Sequence, residues 1–218
     1  MNDERKPTAA GTGLADLAQV KLSPDREHVL LAALHSSGGS PAWRARKAAE
    51  ARELLALAEL APRMEIWELD LGADLRAVIH LEGPVACLPG GQGALVIERH
   101  ALLGLTYRQE ALSRPLSGYA FVQILAPHGV WLPNVSADAA QAICLGTSLP
   151  AGVRVRDLVL MSFDALTMRS VQMDELDPAG VLNGAAARFW QSPLNATRIP
   201  LGTSPFLGPV HESTKDAT

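Results

Sequence analysis

The apolar positions change period once along this chain. Ser23-Pro24-Asp25-Arg26-Glu27 combines a capping residue, a proline at the first helical position and early acids, and Val29, Leu30, Leu31 and Leu34 follow, which predicts a short helix. Ser36 to Ser40 is a flexible link, and Ser40-Pro41 opens a second helix to about Leu60. Its alanines and leucines are expected to face a core, with Arg44, Arg46, Lys47, Glu50 and Arg52 in water. From Met64 the pattern alternates. Met64, Ile66, Leu69 and Leu71 mark one strand, Val78 to Leu81 a second, Leu95 to Ile97 a third and Tyr119 to Leu125 a fourth. Only Ala101 to Leu112 is long enough for an intervening helix, so a four-stranded antiparallel meander is the economical arrangement. Glycine and proline punctuate it at Gly83-Pro84 and at Pro89 to Gly93, the latter a hairpin turn. Residues 126–152 lose all period, helical spacing returns from Val153 to about Val171, and a last helix is expected from Asp177-Pro178 to about Trp190.

These elements define an α+β chain in three parts: an arm with a short extra helix over residues 1–40, a main domain over 41–192, and a Pro- and Gly-rich tail over 193–218. Residues 1–20 read as a mobile arm. Among 218 residues, 48% are hydrophobic and 19% charged, which suits a folded core. The formal net charge of −4 gives no broad basic footprint for nucleic acid or anionic lipid. No apolar run approaches the ~20 residues needed to span a bilayer. The beginning of the chain lacks the layout of a secretory signal, so a cytoplasmic protein is expected, with Cys87 and Cys144 as free thiols. His80, His100 and His128 have no metal-ligand spacing with the cysteines, and no metal or other cofactor is expected.

The chemistry concentrates in the unperiodic segment, because long irregular stretches in compact domains tend to be functional. There Leu132-Pro133-Asn134-Val135 precedes Ile143-Cys144-Leu145-Gly146, and Asp177-Pro178 with Leu182-Asn183 follows after a helix. In that order these words resemble the ubiquitin-conjugating enzymes, in particular their bacterial branch. That family has a His-Pro-Asn tripeptide shortly before an Ile-Cys-Leu active site and an Asp-Pro-Leu-Asn turn before a later helix. A helix and a four-stranded meander precede the active site there as well, and the resemblance covers roughly residues 41–191. It departs at Leu132, which stands in place of the family's histidine, in a slightly longer Asn134–Cys144 spacing, and in the extra first helix.

The resemblance implies a conjugating-enzyme fold and a working cysteine, Cys144. That thiol would accept a ubiquitin-like protein from an activating enzyme as a thioester and pass it to a lysine of a target protein. Asn134 would stabilise the oxyanion that forms under amine attack, and Asp177 matches the family's acidic position beside the active site. The activating enzyme would grip the first helix of the main domain, where Arg44, Arg46 and Lys47 are the candidate contacts. An associated deconjugating protease is a further expected partner. Two other functions fit parts of the sequence. A catalytically silent adaptor that binds a ubiquitin-like protein would not need Cys144, and a cysteine hydrolase would need a base such as His128 beside the thiol. Cys87 lies in no such motif and reads as a small buried apolar residue.

Overall fold

The computed structural model describes residues 14–91, 93–174, 180–198, 201 and 205–207. Its elements are α1 (Pro24–His35), α2 (Pro41–Leu60), β1 (Met64–Asp70), β2 (Leu75–Cys87), β3 (Val96–Tyr107), β4 (Val122–Ala126), α3 (Val155–Leu166), α4 (Gly184–Gln191) and α5 (Pro193–Arg198). The strands form one antiparallel sheet in the order β1-β2-β3-β4, the expected meander. One sheet face supplies Leu75, Ala77, Ile79 and Leu81 of β2 with Leu103, Leu105 and Tyr107 of β3, all buried. Helices α2 and α3 contribute Leu54, Leu57, Leu158 and Phe163 to the same core.

Several boundaries differ from those the pattern predicts. Ala101 to Tyr107 continues β3 and is no helix, because Leu103, Leu105 and Tyr107 alternate inward and pair with Ile79, Ala77 and Leu75. Strand β2 runs through Gly83-Pro84, where the register shifts between Glu82 and Val85. Such an irregularity is where a strand tolerates proline, whose missing N–H leaves no ladder bond unmade. Helix α3 ends at Leu166. The Thr167 hydroxyl donates to the Phe163 carbonyl at 2.8 Å, and Met168 turns the chain at φ 59°.

Near both ends of the described residues, side chains reach the core. Leu14–Gln19 forms a 3₁₀ helix with Leu17 buried, and the Arg52 guanidinium donates to the carbonyls of Leu17 and Val20, each at 3.0 Å. Past α4, Leu201 and Phe206 are buried, and the Phe206 ring meets that of Phe163 edge-on at 5.1 Å. Among the described residues no helix is long and apolar enough to cross a membrane.

Two charged residues expected in water are instead fully buried on α2. Glu50 accepts from Arg46 at 2.7 Å, from Arg154 Nε at 3.1 Å and from the Val155 N–H at 2.8 Å, so it caps α3 and ties that helix to α2. Arg154 also pairs with Glu53. Lys47 donates to the carbonyls of Gly38, Leu71 and Gly72, closing the connections on either side of α2 and β1. Burial pulls the lysine below its usual pKa, while Asp70 and Asp74 act in the opposite direction. A buried charge persists only when its hydrogen-bonding capacity is met, which these partners do. Replacing Glu50 with alanine should therefore lower stability by about 2–3 kcal/mol, the size of a charge-assisted hydrogen-bond loss. The expected signature is a lower urea midpoint at unchanged slope.

Candidate active site

After β4 the chain forms a hairpin between Pro133 and Cys144, and backbone bonds fix its two limbs. Cys144 N–H donates to the Asn134 carbonyl at 2.7 Å, and Val135 pairs with Ile143 as an isolated antiparallel bridge. Ile143 N–H reaches the Val122 carbonyl of β4 at 3.0 Å, which joins the hairpin to the sheet. The tip folds on itself. Ser136 donates from its hydroxyl to Asp138 at 2.8 Å and accepts from Ala142 N–H at 2.8 Å, while Asp138 accepts from Ala140 N–H at 3.0 Å. The longer Asn134–Cys144 spacing is thus a closed turn that leaves both limbs in register.

Leu132, in the position where the resemblance expects histidine, is a core residue with no exposed surface. The bracing comes from Gln141, held at φ 44° and buried. Its amide nitrogen donates to the carbonyls of Ile124 at 3.3 Å and Pro127 at 2.9 Å, and its oxygen accepts from Val130 N–H at 2.9 Å. Sequence reading missed Gln141. A glutamine in an irregular segment gives no periodic signal, and its role depends on carbonyls far away along the chain.

On the other side, Pro133 O accepts from Leu182 N–H at 2.8 Å and Asn183 N–H at 2.9 Å. Asn183 then caps α4 by accepting from Ala186 N–H at 3.0 Å. The last helix therefore starts at Gly184, later than expected. Asp177 and Pro178 lie outside the described residues. Beyond the thiol, Gly118 N–H donates to Gly146 O at 3.0 Å. A Cβ at Gly118 would stand 2.4 Å from that oxygen, so only glycine permits the approach.

These constraints bring Cys144 and Asn134 to one cleft of about 590 Å³, which Met161, Asp164 and Ala165 of α3 and residues 169–172 also line. Cys144 is 9% exposed and its thiol donates to Gly146 O at 3.6 Å. Asn134 is 2% exposed, and neither atom of its side-chain amide has a hydrogen-bond partner among the described residues. An unpartnered buried amide costs free energy.

The other candidate residues fall elsewhere. Arg44 is exposed, but Arg46 is committed to Glu50 and to Gly152 O at 3.0 Å, and Lys47 is buried. The three do not make one surface, because α2 turns Lys47 inward. His128 lines a separate cavity of about 390 Å³ with Trp131 and Asp138, away from the residues that line the Cys144 cleft. His80 stacks on Trp67 with ring centroids 5.1 Å apart and meets His100 at 5.3 Å. Among the described residues no group of three or more His, Cys, Asp or Glu side chains is placed to hold a metal ion.

The two thiols differ in environment. Cys87 ends β2 inside the core, where burial first and the Glu98 carboxylate second push its pKa up to about 12. Since the thiolate is the reactive form, iodoacetamide at pH 8 should alkylate Cys144 and leave Cys87 unmodified in the folded chain. Peptide mass mapping would check this, with both cysteines modified after denaturation. Comparison with protein-family models, curated proteins and solved structures finds no match to this chain.

Proposed function

We propose that this chain is a conjugating enzyme of the ubiquitin-like type. Cys144 carries the C-terminal acyl group of a ubiquitin-like protein as a thioester, received from an activating enzyme, and gives it to a lysine amine of a target. The observation that carries this reading is the shared cleft, lined both by Cys144 and by the buried Asn134, whose amide has no hydrogen-bond partner among the described residues. The sequence of elements supports it. A long helix, a four-stranded meander, a hairpin ending in the cysteine, and then further helices occur here in the order that the resemblance implies.

The first step is thiol exchange. Cys144 sulfur attacks the incoming thioester, the new C–S bond forms as the old one breaks, and the departing thiol takes the proton. Entering and leaving groups are alike, so placement does more than activation. In the second step an amine attacks the carbonyl carbon. Charge grows on the carbonyl oxygen, and the Asn134 amide N–H groups are the available donors in that wall of the cleft. The donor is preorganised because the backbone around it is fixed: Pro133 by Leu182 and Asn183, Asn134 itself through Cys144 N–H, and Val135 by its bridge to Ile143.

The steps separate experimentally with a short glycine-ending peptide thioester of mercaptoethanesulfonate as donor. The parent chain should acquire one acyl group that reductant removes. Cys144→Ala should acquire none, whereas Cys87→Ala should load normally. Asn134→Ala should load yet discharge to free lysine about 100-fold more slowly, as loss of one oxyanion donor implies. A folded Asn134→Ala chain with the parent discharge rate would contradict the assigned role.

A further inference from the structure

The α3 wall of the Cys144 cleft carries a charge that helix stability does not account for. Met161, Asp164 and Ala165 are spaced on one helical face and line the cleft, while Leu158, Ser162, Phe163 and Leu166 are buried. Asp164 sits in the last turn of α3, which ends at Leu166. A carboxylate there faces the negative end of the helix dipole, an unfavourable arrangement. Its ion-pair partner Arg169 lies at 3.8 Å, the limit of such a contact, and the Asp164 side chain remains 44% exposed. The turn that carries Arg169 closes on the Asp164 main-chain carbonyl, which accepts from Arg169 N–H at 2.8 Å. Asp164 and Arg169 are the charged side chains among the described residues lining the cleft, and Asp164 is its one described carboxylate.

Resting on the reading of Cys144 as a thioester carrier, we propose that Asp164 selects the acceptor. Its carboxylate binds the ammonium form of an incoming primary amine in the cleft, so the acceptor is a cationic amine in preference to a thiol or a hydroxyl. The net step converts an ammonium and a thioester into an amide, the Cys144 thiol and one proton released to water. The bound ammonium first loses one proton to water, and the lone pair so freed forms the C–N bond at the thioester carbon. The C–S bond then breaks with its electron pair going to sulfur, which takes the second proton from nitrogen. Arg169 holds the carboxylate toward the cleft until the acceptor's charge replaces it. An α3 residue in this role is independent of Asp177.

The test compares two nucleophiles on one preformed thioester. Cys144 is loaded from the peptide thioester, and its discharge is timed with free lysine, which is cationic, and with hydroxylamine, which is uncharged at neutral pH. Asp164→Asn should lower the ratio of the lysine to the hydroxylamine rate constant about five-fold, the worth of one exposed ion pair near 1 kcal/mol. Asp164→Glu should restore the ratio. An unchanged ratio in Asp164→Asn, or an equal loss toward both nucleophiles, overturns the assignment while leaving the carrier reading intact. A parent chain that never loads at Cys144 overturns both.

Discussion

Two adjacent backbone carbonyls, those of Pro133 and Asn134, set the geometry on which the candidate site depends. The first receives the N–H groups of Leu182 and Asn183, and the second receives that of Cys144. Backbone carbonyls are strong acceptors, and here each ties its residue to another segment of the chain. The result is a rigid strip of chain with the α4 cap on one side and the thiol on the other. The bond from Cys144 N–H to its carbonyl keeps Asn134, which lines the cleft, next to Cys144. The hairpin between the two residues closes through Ser136 and Asp138, so its extra length does not loosen the pairing.

A second tier of interactions holds the walls of the cleft in place. Glu50 joins α2 to the start of α3, and α3 lines the cleft together with the hairpin. Tyr107 adds a bond from β3, its hydroxyl donating to Val153 O at 2.8 Å just before α3. Buried charge in this role trades desolvation for direction. A carboxylate that meets two guanidiniums and one N–H is satisfied in a single arrangement, whereas apolar contacts would let the helix slide. Gln141 does comparable work with neutral groups beneath the hairpin.

Periodicity made the sheet, α2 and α3 legible, since alternating and helical spacing are imposed directly by a one-sided core. It missed the true length of β3, because Ala101, Leu103 and Leu105 sit beside Leu102 and the run reads equally as helix or strand. Lys47 and Glu50 were illegible for a different reason. Their burial depends on carbonyls and arginines that only tertiary structure supplies. The pairing of Cys144 with Asn134 was legible only through the resemblance that two short motifs carry, whereas the bracing role of Gln141 and the placement of Asp164 required the folded chain.

The central claim is that Cys144 in its cleft is a thioester carrier built for transfer to amines. Its most direct measurement is the rate at which acyl-Cys144 reacts with free lysine, compared between the folded chain and the same acyl-chain in urea. The account predicts a single acyl group, mapped to Cys144 by mass spectrometry, that passes to lysine faster from the folded chain by at least the ~100-fold attributable to one oxyanion donor. Equal rates from the folded and unfolded chains would show that the cleft gives the thioester nothing, and would contradict the account.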